Sequence, residues 1–296
     1  MHGSLALHRG SLFVGRYAKT AHVGIFDLDG HRLRGGFSFR DEELGRSSVH
    51  GLSVDDDRRI WVADGPSGYV RSFTLFGKDL NKWGQGSHEG RLEDRHGRIG
   101  EPVDIIARGD GDEGILYVAS GGVRRHALSM HAPDGRWMRS LRCEGDPEQS
   151  FRSLSGVSLQ GSFVYAAEKG RSRIQVFRDG EFHFTFTHPS RQGPFEPTAV
   201  AALEDGRMLV TAGGQASAVL LFSPSGRLLR ILAEGGEKES SVYEPSDIVV
   251  ESGEEDAHTR FAVIDRDGDR VQVYSLLGRY YGAFLEGESA STGSES

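Results

Sequence analysis

The 296-residue chain carries a formal net charge of −8, with 37% hydrophobic and 26% charged residues, so it is expected to fold as a soluble protein without bulk attraction to nucleic acid or anionic membranes. No apolar stretch approaches the roughly 20 residues needed to span a bilayer, and the opening MHGSLALHRG lacks the basic-then-apolar layout of an export signal, which makes the cytoplasm the expected compartment. Cys143 is the one cysteine, which excludes an internal disulfide and argues against a cysteine-based metal site.

Taken in chain order, one short apolar strand recurs: LFVGR (12–16), IWVAD (60–64), LYVAS (116–120), VYAAE (164–168), MLVTA (208–212) and FAVID (261–265). Each is followed 14 to 17 residues after its middle position by a glycine turn, at Gly30, Gly77, Gly135, Gly180, Gly226 and Gly278. The hairpin length is held while the connections vary, which is the signature of a repeat. The fourth copy reads most clearly as four strands, GVSLQ (156–160), FVYAAE (163–168), RIQVFR (173–178) and EFHFTF (181–186). Asp-Gly is a favoured two-residue hairpin turn, and no segment of useful length shows capped helical spacing. The fold class is therefore all-β, a six-bladed β-propeller of four-stranded antiparallel blades over residues 1–286, with residues 287–296 a polar disordered tail. The chain begins on an inner strand (SLALH, 4–8) and ends on an outer one (RYYGAF, 279–284), so whole blades should meet face to face where the ring closes.

The cores RSRIQVF (171–177) and GDRVQVY (268–274), and the inner-strand openings EPVDIIA (101–107) and EPSDIVV (244–250), resemble NHL repeats. That resemblance implies a six-bladed propeller and little about chemistry, since such propellers serve several functions. Glu168 with Arg173, and Asp265 with Arg270, share an offset of five across a strand-turn-strand connection and are read as structural ion pairs at exposed turns, each worth little. The segment VHGLSVDDDRRIWVAD (49–64) resembles one blade of the peptidyl-hydroxyglycine lyase domain. The resemblance puts His50 where that family holds the first of three zinc-binding histidines, with Ser155 and Ser246 at the other two positions. A catalytic zinc takes three protein ligands, and serine is a poor one.

In a propeller, equivalent inner-strand positions form rings around the axis. The ring of His50 should hold Val103, Ser155, Thr198 and Ser246, and the next one Gly51, Asp104, Gly156, Ala199 and Asp247. These give the candidate channel site His50, Asp104, Ser155, Thr198, Ser246 and Asp247. Its candidate metal ligands are His50, Asp104 and Asp247, for zinc or calcium. The two aspartates are also read as caps on nearby backbone amides. Long inter-blade connections, including GQGSHEGRLEDRHGRIG (84–100) and AEGGEKESSVY (233–243), should project from one face, where Arg95, His96 and Arg98 are candidate binding residues. No nucleophile or phosphate-loop motif is found, so no catalytic residue is assigned. The expected function is a non-catalytic, monomeric binding module for a protein or small-molecule ligand. The alternatives are a metal-assisted lyase or hydrolase at the channel, and an RNA-binding propeller.

Overall fold

Glycine turns separate the strands as the spacing predicts. The computed structural model describes residues 3–17, 20–84, 99–121, 127–142, 151–188, 193–265 and 270–285. It contains six four-stranded antiparallel sheets, each contiguous in the chain with its strands in sequence order. Blade one is β1 (Gly3–His8), β2 (Ser11–Tyr17), β3 (Ala21–Phe26) and β4 (Arg32–Phe39). Blade two is β5 (Gly51–Val54), β6 (Ile60–Asp64), β7 (Tyr69–Phe73) and β8 (Asp79–Gly84). Blade three is β9 (Glu101–Arg108), β10 (Ile115–Gly121), β11 (Ala127–His131) and β12 (Trp137–Leu141). Blade four is β13 (Leu154–Gln160), β14 (Phe163–Glu168), β15 (Arg173–Arg178) and β16 (Glu181–Phe186). Blade five is β17 (Pro197–Ala202), β18 (Met208–Ala212), β19 (Ala218–Phe222) and β20 (Leu228–Glu234). Blade six is β21 (Pro245–Glu251), β22 (Arg260–Asp265), β23 (Arg270–Ser275) and β24 (Tyr280–Phe284). Helical structure among the described residues is limited to single 3-10 turns such as Gly65–Ser67 and Lys169–Arg171, so no helix there is long and apolar enough to cross a membrane.

The second strand of each blade is apolar on both sides because the blade is buried on both sides. In β6, Ile60 and Val62 pack with Phe13 and Val23 of blade one, while Trp61 and Ala63 pack with Ile105 and Leu116 of blade three. Six such cores form, one between each pair of neighbours. The last joins Ala262, Ile264 and Val271 of blade six to Leu5, Leu12 and Val14 of blade one. Burying one such side chain fully contributes about 1.5–3 kcal/mol, and a single sheet has no means of covering both its flanks.

The ring closes through whole blades, with β1 against β21. Asp247 accepts from the Ser4 hydroxyl and the Leu5 amide at 2.8 and 2.7 Å. Arg260 reaches Asp29 across the same junction at 2.9 Å, and the rings of Phe26 and Phe284 lie 5.5 Å apart.

Candidate functional site

The inner strands β1, β5, β9, β13, β17 and β21 surround the axis. Each is the end strand of its sheet, so one of its edges lacks a ladder partner. Unpaired amides and carbonyls there must be satisfied by side chains or water. The chain meets this need with a recurring irregularity: in blades three to six the ladder shifts at Val103, Ser155, Thr198 and Ser246, which are skipped in the pairing with the second strand. A β-bulge re-aims the side chain it carries. Ser155 Oγ donates to Pro197 O at 2.7 Å, Thr198 Oγ1 donates to Pro245 O at 2.6 Å, and Ser246 Oγ reaches Gly3 O at 3.4 Å. Each hydroxyl therefore ties its blade to the next one around the ring. His50, half-buried, precedes β5 and lies over Gly65, where an added Cβ would strike its ring. Its amide donates to Ala63 O at 3.0 Å.

The second ring is Ser4, Gly51, Asp104, Gly156, Ala199 and Asp247, as the strand registers align it. Asp104 and Asp247, three blades apart, are bonded alike. Oδ1 of each accepts the following amide of its own strand, Ile105 or Ile248, at 2.8 and 2.7 Å. Oδ2 of each accepts an amide of the next blade, Val157 at 2.7 Å for Asp104 and Leu5 at 2.7 Å for Asp247. Burial pushes Asp247 up to about 6. Burial, and then the charge of Asp247, pushes Asp104 well above the usual carboxylate range. Ser53 and Ser158, two residues further along their strands than Gly51 and Gly156, accept the amides of Ala107 and Ala202 in the following blades at 2.9 and 3.1 Å. Sequence reasoning did not single out these two serines, although their shared offset from the ring positions is visible in the primary structure.

His50, Asp104 and Asp247 are not drawn into one ligand cluster. Among the described residues, the only triad with ligand atoms all within 4.8 Å is Asp27, Asp29 and His31, in the β3–β4 hairpin. Its groups are engaged by the turn itself, with Asp27 accepting the amides of Asp29 and His31 at 2.9 and 2.8 Å.

The inter-blade connections enter the inner strands beside the turns that join second and third strands, and buried carboxylates tie the two together. Glu168 accepts from the Arg152 amide (2.7 Å), Arg171 (2.8 Å), Arg173 (2.6 Å) and Gln175 (2.9 Å). Asp265 accepts from the Tyr243 amide at 2.9 Å and from Arg270 at 3.4 Å. Asp64 accepts from the Ser48 amide at 2.9 Å, the Ser47 hydroxyl at 2.7 Å and Arg71 at 3.1 Å. The expectation of exposed, weak pairs at these turns is thus corrected: all three carboxylates are fully buried, because each one also caps the incoming loop. Reading only the offset of five missed the residue seven positions after the acid: Arg71 and Gln175 donate to Asp64 and Glu168, and Gln272 donates to Glu239 O and Ser241 O of the incoming loop. In blade two Arg71 also pairs with Asp41 of the connection from blade one. Burial opposes ionisation of Asp41, but bonds from Leu44 and Lys82 and the charges of Arg71 and Lys82 outweigh it and hold the carboxyl below its usual range. Arg95, His96 and Arg98 lie outside the described residues.

No protein-family model matches the sequence, and no curated protein matches it either. Solved structures resemble its fold. A nidogen/laminin complex superposes with a TM-score of 0.64 at 13% identity, covering 93% of this chain and 92% of that one. Virginiamycin B lyase from Staphylococcus aureus gives 0.62 at 11% identity, covering 95% and 83%. A gluconolactonase from Xanthomonas campestris gives 0.54 at 14% identity, covering 86% of each chain. The chain shares their propeller fold. At these identities the likeness extends to architecture and not to chemistry.

Proposed function

We propose that the protein is a non-catalytic binding scaffold, an NHL-type propeller that takes a protein or small-molecule ligand on the face carrying its inter-blade loops and at the mouth of the channel. The observation that carries this reading is the anchoring of loop roots by the buried carboxylates Asp64, Glu168 and Asp265. Holding a loop in place before contact lowers the ordering cost of association. Within the channel, the hydroxyls of Ser155, Thr198 and Ser246 and the carboxylates of Asp104 and Asp247 already bond to backbone of adjacent blades, which leaves them poorly suited to holding zinc. The solved nidogen structure with a similar fold is itself a complex with laminin.

The test is partner capture by cross-linking, followed by a triple variant Arg95→Ala, His96→Ala, Arg98→Ala and a separate Tyr243→Ala; Tyr243 is 52% exposed. Loss of the partner with unchanged melting temperature is the expected result, and undiminished capture by both variants would overturn it. A second reading, metal-assisted lyase or hydrolase chemistry at the axis with His50, Asp104 and Asp247, is favoured by one observation, that burial and the charge of Asp247 both oppose ionisation of Asp104, which a hard cation would relieve. Stoichiometric zinc or calcium in protein purified without chelator, lost on Asp104→Ala, would favour that reading over the first.

A further inference from the structure

Five of the six blade junctions are sealed at the rim by a side chain pressed tightly onto a hairpin glycine, and at the sixth the covering side chain stands further off. In every blade the hairpin between third and fourth strands has a glycine with φ between +77° and +91°, at Gly30, Gly77, Gly135, Gly180, Gly226 and Gly278. The outer strand of the preceding blade lays a side chain over that glycine. A Cβ added at Gly30, Gly135 or Gly226 would sit 2.5–2.8 Å from a ring carbon of Phe284, Trp83 or Phe186, and one at Gly77 or Gly180 would collide with Phe37 or Arg139. Four of these five plugs are aromatic, and the fifth is the flat guanidinium of Arg139. At Gly278 the plugging residue is Leu232, and an added Cβ would meet nothing nearer than Leu232 O at 3.7 Å. A groove of about 530 Å³ opens there, between the outer strand of blade five and the face of blade six. That is within the range of small-ligand sites.

The lining is mostly polar, with a smaller apolar part. The half-buried Tyr280 borders the groove with the buried Tyr274 behind it, ring centroids 5.3 Å apart and planes at 51°. Leu232 and the half-exposed Ile231 give an apolar side. The charged residues of the lining are Glu234, at the end of β20, and Glu237 and Lys238, on the connection that follows it, so carboxylates outnumber the one ammonium. Both acids are exposed. We propose that this groove binds a small aromatic cation, with its planar ring in the space that a plugging side chain fills at the other junctions and its ammonium toward Glu234 and Glu237. The groove runs along the outer strand of blade five and takes in Gly235, Glu237 and Ser241 of the connection to blade six, a loop of the proposed partner face, and the small probes below read it with no partner present.

The probes are tryptamine, its neutral analogue tryptophol and its anionic analogue indole-3-acetate, titrated against the full chain by ligand-observed NMR and calorimetry. Tryptamine should saturate a single site and bind about two- to fivefold more tightly than tryptophol, as suits partly solvated ion pairs, with indole-3-acetate weakest. Leu232→Phe, which reproduces the plug of blade four, should abolish binding; because Leu232 is buried against Tyr274 and Leu276, some loss of stability from overpacking is expected with it, and circular dichroism checks that the variant is folded. Glu237→Gln, at an exposed position, should narrow the gap between amine and alcohol while the fold is unchanged. The proposal is overturned if no probe saturates, if indole-3-acetate binds as well as tryptamine, or if Leu232→Phe folds and binds undiminished.

Discussion

At the scale of single residues, burial decides which charges matter. Glu168 is fully buried with four donors around it, so Glu168→Ala strands two arginines and a backbone amide. The expected cost is about 3–5 kcal/mol in urea denaturation. Glu181, 86% exposed and 4.0 Å from Arg139, should cost under about 0.5 kcal/mol when changed to Ala. The offset of five was legible in the primary structure, but the value of these pairs was not, because nothing local indicates that the connecting loop folds over the acid. The same limit applied at Asp104 and Asp247: their place in the ring was readable from the repeat, whereas the amides they cap belong to neighbouring blades 53 and 242 residues away.

At the scale of the strand and its turn, the hairpin glycines serve two purposes that substitution can separate. Gly10 and Gly226 have nearly equal φ, +74° and +78°, but a Cβ on Gly10 would meet no atom within 4 Å, whereas one on Gly226 would lie 2.5 Å from Phe186. Gly10→Ala should cost about 1–2 kcal/mol for its left-handed backbone alone. Gly226→Ala should cost about 1–3 kcal/mol more, from overpacking, and equal costs in denaturant titration would refute the packing role. Strand positions were largely legible because glycine and alternation mark them: β14, β15 and β16 coincide with the segments read from sequence. The inner-strand bulges were not, since a skipped residue leaves no local trace in composition.

At the scale of the whole molecule, the count of blades was legible because hairpin length is nearly constant. The manner of closure followed from which strands lie at the two ends of the described chain. Closure also carries a pH dependence. Burial raises Asp247 from 3.8 to about 6, so between those values the folded chain binds a proton that the unfolded chain releases. Its contribution to stability is then full below about pH 4 and falls as pH rises through 6. Asp104, raised mainly by its own burial, adds to this slope, so denaturation midpoints across that window should show it in the native chain and lose only the share of Asp247 in Asp247→Asn; an unchanged slope would place the titration elsewhere. Asp247→Ala, which abandons the Leu5 amide and the Ser4 hydroxyl, should cost about 1–3 kcal/mol at neutral pH.

The junction between β1 and β21 has a further consequence for how the molecule is made. Ser4 and Asp247 are separated by 243 positions, so during synthesis Leu5, Leu12 and Val14 have no cover on that flank until blade six has emerged. Formation of the final contact should therefore be slow and come late. Deleting residues 245–285 would strip the cover from blade five as well as blade one. Such a truncated chain is expected to aggregate rather than persist as a shorter wheel, as its soluble yield would report.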